Sequence, residues 1–193
     1  MNTKERILQA ALQLYNTHGI YSITSRHIAR QMNISAGNLH YHFKHTDDIL
    51  IALYEQLSAE FDKLMFDTQS TEEIETASLD VFSEMSFKII YKYRFIFLHF
   101  VEIVQRIPSI RTQYQKLVER RTNEFKTIFR RFIEKGIFRS DLTEEVWNKL
   151  VTQVFIIADF WLSNNELTNR YRGPKALQQF KETIQNIFIP YIA

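Results

Sequence analysis

Between Ala36 and Lys44 the chain crowds Gly37, Asn38, His40, Tyr41, His42 and Lys44 into nine positions. The set supplies an amide, two imidazoles, a phenol and an ammonium group, and no carboxylate. Such groups donate and accept hydrogen bonds at flat polar edges and attract phosphate. They do not form a catalytic constellation. His40 and His42 lie about 200° apart on a helix and cannot chelate one ion. His42 and His45 share a face only at a helix end, with no third ligand close in sequence. The chain has no cysteine, which excludes disulfides, thiolate zinc sites and cysteine nucleophiles. It contains no glycine-rich phosphate loop, no nucleophile elbow and no HExxH motif. No enzyme activity, cofactor or metal is expected.

Two short helical patterns must position these groups. Ile28, Ala29 and Met32 recur at helical spacing behind Thr24, an N-cap type. After a joint at Met32-Asn33-Ile34, Ser35 can cap a second helix that buries Leu39 and Phe43 on one face. Gly37 and Tyr41 then point outward, flanked by Asn38, His40 and Lys44. Two short helices joined by a tight turn describe a helix-turn-helix. From spacing alone, its polar face reads equally as a DNA-reading surface or as the solvated side of a small helical domain.

The residues Gly37-Asn38-Leu39-His40-Tyr41-His42-Phe43 resemble the recognition helix of the tetracycline-repressor (TetR) family of bacterial transcription regulators. So do Thr24-Ser25-Arg26-His27-Ile28-Ala29, Lys44-His45-Thr46-Asp47-Asp48-Ile49-Leu50 and, upstream, Thr3-Lys4-Glu5-Arg6-Ile7-Leu8. The resemblance covers the first 50 residues or so. Asn38 stands where the family usually has Ser or Thr, and His40 where it usually has Tyr. The resemblance implies that Arg26, Tyr41 and Lys44 meet phosphates and that Gly37, Asn38 and His40 approach base edges. Thr24, Ser25, Ala36 and His42 complete the implied interface. It also implies an operator with two half-sites, a homodimer and a cavity for a small effector.

The remaining chain supports an all-α architecture. Glycine and proline are scarce, at four and three, while Phe and Tyr are abundant. The net charge is only +2, yet residues 1–48 hold five Lys/Arg against three Asp/Glu and five of the six histidines. No apolar run reaches the length of a membrane span, and the chain reads as soluble, unsecreted and cytoplasmic. An N-terminal three-helix DNA-binding domain is expected over residues 1–48, and a helical ligand-binding and dimerisation domain over 49–193. Thr3–His18 forms the first helix, ended by Gly19. Thr46 caps a longer connector helix with the stripe Leu50, Leu53, Leu57, Phe61 and Leu64, and residues 67–73 form a polar break. Helical runs follow over 74–93 and 94–105, then from Pro108 to Lys135, with Arg120, Arg121, Arg130 and Arg131 on a solvated, salt-bridged outer face.

The last two helices carry the dimer expectation. Residues 146–162 are apolar almost all round, and a helix without a polar face needs cover on more than one side. Beyond a loop at 163–173, Leu177, Phe180, Ile184, Ile187 and Tyr191 form a seam. These helices either close a monomer core or pair with their copies in a homodimer; the family resemblance implies the second. Aromatic side chains exceed the needs of a small core, so Phe82, Tyr91, Phe95, Trp147 and Phe155 are expected to line an effector pocket with His99, Glu102 and Asp159. For His99 and Glu102 a solvent-facing stripe is the competing reading. Asp159 sits in an apolar helix and requires a hydrogen-bonding partner. The reading as a whole is a ligand-responsive repressor acting on palindromic double-stranded DNA, with no membrane partner. A hydrophobic-ligand-binding protein of the same fold that does not regulate DNA is the alternative.

Overall fold

A computed structural model describes residues 2–71 and 74–193. Among the described residues ten α-helices occur in the order α1 (Thr3–His18), α2 (Ser25–Gln31), α3 (Ala36–His42), α4 (Thr46–Ser70) and α5 (Thr76–Lys92), then α6 (Arg94–Leu98), α7 (Phe100–Arg106), α8 (Pro108–Glu134), α9 (Glu144–Leu167) and α10 (Gly173–Phe188). A 3-10 turn, Ile189–Tyr191, follows α10. No helix among the described residues is long and apolar enough to cross a membrane. The chain divides into two compact units, residues 1–59 with 93–111 and residues 60–92 with 112–193. Helix α4 contributes to both.

In the first unit, α1 opens with a reciprocal cap. The Asn2 side chain accepts the Glu5 N–H at 2.9 Å, and the Glu5 carboxylate accepts the Asn2 N–H at 3.0 Å. Gly19, at φ 76°, closes the helix through its N–H to the Tyr15 carbonyl. Ile7, Ala11 and Tyr15 of α1 meet a core that includes Ile28, Ala29, Leu39, Phe43, Ile49 and Leu53, all buried. The first turn of α4 differs from expectation. Thr46 is itself helical, and Asp48 accepts the His45 N–H at 2.8 Å, so the capping carboxylate comes from within the helix.

Helices α6 and α7 also belong to the first unit. The Phe95 ring lies 5.2 Å from that of Tyr15, and the Phe95 N–H donates to Asn16 Oδ1 at 3.1 Å. The expected single run over 94–105 is broken at His99, whose ψ of 22° leaves the helical range. The break at Tyr93 falls where the sequence placed it.

The second unit is held by aromatic clusters and ion pairs. Phe87, Trp161 and Phe180 bring α5, α9 and α10 together. Phe129, Phe138, Trp147 and Phe188 form a second cluster. The expected polar break at 67–73 is shorter than its composition indicates, because α4 continues to Ser70. Arg131 of α8 accounts for this by donating to the carbonyls of Gln69, at 2.8 Å, and Thr71. Glu72 and Glu73 lie outside the described residues. Arg121 is not on an outer face: it is 4% exposed and paired with Asp62 and Glu124. Helix α9 runs on to Leu167, into the expected loop, where buried Asn165 both donates to and accepts from the Tyr171 backbone.

The seam on α10 also needs correction. Phe180 and Ile184 are buried within the protomer, against α5 and α9, and are not free for a second subunit. Their spacing reported burial correctly, but burial by the same chain. Outward-facing apolar residues lie instead on α9, at Ile156 and Phe160.

Candidate nucleic-acid interface

The turn between α2 and α3 sets the geometry of the site. Met32 caps α2 and Asn33 follows at φ 54°, in the left-handed region that Asn tolerates better than most residues. The Asn33 N–H bonds to the Arg30 carbonyl and the Ile34 N–H to the Ala29 carbonyl, at 3.2 and 3.1 Å. These two bonds form a Schellman motif, with Asn33 in the place usually held by glycine. Ser35 then caps α3, its Oγ accepting the Asn38 N–H at 3.1 Å.

Leu39 and Phe43 are buried and fix the rotation of α3. Its opposite face is open: Gly37, Asn38, His40 and Tyr41 are exposed, Tyr41 at 86%. A β-carbon on Gly37 would meet nothing nearer than Ser35 Oγ at 3.9 Å. The protein's own packing therefore does not require glycine here. The His40 Nδ1 lies 3.1 Å from the Lys44 carbonyl, so it carries the hydrogen and leaves Nε2 directed away from that bond. Lys44 is exposed just beyond α3, and Arg26 and Thr24 are exposed at the start of α2, with Ser25 half-buried. Ala36 and His42 are half-buried at the margins, His42 edge-on to Tyr41 at 5.2 Å. All ten residues expected at this interface thus lie on, or within two residues of, two helices joined by one tight turn. His27 adds a contact that helical periodicity does not reveal: its Nδ1 accepts the Thr24 N–H at 3.2 Å and steadies the start of α2.

The eight residues expected in an effector pocket divide between the two units. Phe95, His99 and Glu102 belong to the first unit. The His99 ring meets Tyr21 edge-on at 6.1 Å and faces Glu102 at 3.4 Å. A hydrogen bond to Glu102 raises the pKa of the Tyr21 hydroxyl. Arg106 pairs with Asp47. The stripe is therefore a polar surface of the first unit, with the Glu102 and Arg106 side chains open to solvent and His99 half-buried. In the second unit Trp147 belongs to the Phe129–Phe138 cluster, and Tyr91 stacks on Phe87. Phe82 and Phe155 both contact Phe125 edge-on. Phe155 also meets Tyr114, whose hydroxyl donates to Asp159 at 2.5 Å. Asp159 is 8% exposed, and burial pushes its carboxyl up to about 6 against the opposing effect of the Tyr114 bond. The required partner exists. Tyr114 lies 45 positions away and left no local signal in the sequence.

Comparison with known proteins identifies this arrangement. A family model described as "Bacterial regulatory proteins, tetR family" matches residues 7–53, and one described as "Bacterial transcriptional repressor" matches residues 53–193. An HTH-type transcriptional regulator from the dhlA 5′ region of Xanthobacter autotrophicus is 43% identical over 49 residues. That match spans 25% of this chain and about a quarter, 24%, of the relative. A TetR-family regulator from Marinobacter aquaeolei superposes with a TM-score of 0.87 at 23% identity, over 100% of this chain and 92% of that one. FadR, a fatty acid degradation regulator from Bacillus halodurans, gives 0.71 at 19%, over 98% and 96%. SmeT, the repressor of a Stenotrophomonas maltophilia multidrug efflux pump, gives 0.72 at 18%, over 100% and 92%. These solved structures share the fold; the family models, which together run from residue 7 to residue 193, decide the membership. The chain belongs to the TetR family of DNA-binding transcriptional regulators, which are not enzymes.

Proposed function

We propose that this regulator binds, as a homodimer, an operator of two half-sites and is released from it by a small apolar or amphipathic effector. The observation that carries the DNA-reading assignment is the carboxylate-free face of α3, held by buried Leu39 and Phe43 and capped by Ser35. In this reading Gly37, Asn38 and His40 approach base edges in the major groove. Asn38 can bond adenine in a bidentate manner, and the Nε2 of His40, directed away from the Lys44 carbonyl, is left to hydrogen-bond at a base edge. Arg26, Tyr41 and Lys44 meet phosphates and set the register. Dimerisation uses the last two helices through exposed Ile156 and Phe160 of α9.

The names of two structural neighbours, a fatty acid degradation regulator and a multidrug-pump repressor, support an apolar effector class. Asp159 with Tyr114, beside Phe155 and Phe125, supplies a polar point among rings where such a ligand could be oriented. An effector releases DNA only as far as it binds the non-DNA-binding conformation more tightly. The test pairs two variants on DNA fragments selected by the protein. Asn38→Ala should change which bases are preferred, whereas Lys44→Ala should weaken all sequences alike and flatten the salt dependence. Unchanged base preference in Asn38→Ala removes it from the reading set.

A further inference from the structure

Among the described residues two charged side chains are buried, both in the second unit, and their surroundings differ. Arg121 pairs with two carboxylates, Asp62 and Glu124. Asp159 has no cation. Its Oδ2 accepts the Tyr114 hydroxyl at 2.5 Å, and its Oδ1 accepts no hydrogen bond among the described residues. No Lys, Arg or His among them offsets the loss of water, so burial dominates and the carboxyl stands at about 6. A buried carboxylate is costly unless a donor or a positive charge meets it. Here the fold supplies one neutral phenol. The side chains around the pair are aromatic. Phe155, one turn before Asp159 on α9, meets the Tyr114 ring edge-on at 6.5 Å and the Phe125 ring at 6.4 Å. Phe82 of α5 meets Phe125 edge-on at 5.8 Å. Tyr114, Phe155 and Phe82 are half-buried, so the protomer does not close over these rings. Ring faces carry negative potential and attract cations.

We infer that the effector bound beside Asp159 is an organic cation, an ammonium group carried on an apolar body. The ammonium group donates to Oδ1 of Asp159, and the apolar body lies against Phe155, Phe82 and the Tyr114 ring. The charge of the ligand is thus added to the effector class proposed above, and the assignment rests on that proposal. A neutral amphiphile of the same shape leaves the carboxylate without a counter-charge, and an anionic one sets a second negative charge beside it. Groups kept for binding commonly lower stability. Asp159→Asn is therefore a usable probe: it is nearly isosteric, keeps an acceptor for Tyr114 and removes only the charge.

Three ligands with the same unbranched tail, decylamine, decanol and decanoate, are titrated into the full-length protein by calorimetry near neutral pH, where the amine is protonated, and below micelle formation. Decylamine should bind at least about 10-fold more tightly than decanol, the lower end for one hydrogen bond to a charged group, with decanoate weakest. Asp159→Asn should abolish the preference for the amine and leave decanol affinity unchanged. Glu119→Gln removes a carboxylate from the exposed side of α8 and should keep the preference. Equal affinities for decylamine and decanol in the parent protein, which needs no variant to fold, overturn the assignment. A preference that survives Asp159→Asn, or is lost equally in Glu119→Gln, overturns it too. Anisotropy of a selected operator fragment, with the same ligands added, separates the cation from the effector role. Release by decanol as readily as by decylamine keeps the effector role and refutes the cation. Binding of decylamine that depends on Asp159 but releases no DNA supports the cation site and refutes the effector role.

Discussion

Replacing Gly37 with alanine separates what the protein needs from what DNA needs. Glycine within a helix costs about 0.5–1 kcal/mol relative to alanine, and α3 has only seven residues over which to recover it. The nearest atom to an added β-carbon is Ser35 Oγ at 3.9 Å, an ordinary contact, so no clash offsets the gain. Gly37→Ala should therefore raise the thermal midpoint, by about 2–4 °C for each kcal/mol gained in a chain of this size. In the proposed DNA complex the same methyl group would occupy the space through which the α3 backbone approaches the base edges. Losing one good base contact per subunit costs about 1–3 kcal/mol, and a dimer loses two. Affinity for a selected operator should fall by at least about 30-fold, the equivalent of 2 kcal/mol. Thermal melts followed by circular dichroism, with anisotropy titrations on operator and on poly(dA-dT), measure both effects. A stabilised variant that binds its operator as tightly as the parent would refute the close approach. A destabilised variant would refute the claim that packing leaves the position free.

Asp159 should make stability depend on pH in the direction opposite to a salt-bridged carboxylate. Its folded value of about 6 lies above the ordinary value of about 3.9, so the folded state holds the proton more tightly. The contribution of this group is therefore most favourable below about pH 4 and declines as pH rises towards 6, with no further change above. Asp159→Asn keeps an acceptor for Tyr114 and should gain up to about 3 kcal/mol at pH 7, fading to nothing near pH 4, in denaturant titrations across pH; equal stabilities at pH 7 would contradict it. The buried Tyr15 hydroxyl has no hydrogen-bond partner among the described residues, and its pKa is raised to about 12 by burial. Tyr15→Phe should stabilise the protein by about 1 kcal/mol in denaturant melts, and a loss of stability would reveal an acceptor. Ile156→Glu combined with Phe160→Glu should leave a folded monomer in sedimentation, whereas Phe180→Glu should unfold the protein; a dimer that survives the double change places the interface elsewhere.

The recognition unit was largely legible because its signals are local. Ser35 caps α3 three residues before Asn38, Leu39 and Phe43 recur at helical spacing, and Gly19 stops α1. Asn33 also left a readable mark, since an Asn just past a helix end often takes the left-handed position that completes a Schellman motif. What could not be read depends on partners far along the chain. Arg131 extends α4 by reaching carbonyls about sixty positions away, and Arg121 is drawn inward by Asp62. Tyr114 meets Asp159 through the packing of α8 on α9. Periodicity placed Phe180 and Ile184 on a buried stripe but cannot say which chain buries them. The aromatic residues expected to share one pocket illustrate the same limit: side chain type marks a ring as buried, while topology alone sends Phe95 to one unit and Phe155 to the other.

Selection of bound fragments from a random duplex library, by the full-length protein at fixed ionic strength, tests the central claim most directly. The account predicts enrichment of an inverted repeat whose half-sites are related by the dimer axis, at positions that change in Asn38→Ala. Enrichment of no sequence, or of a preference that survives Asn38→Ala and Gly37→Ala unaltered, would contradict it.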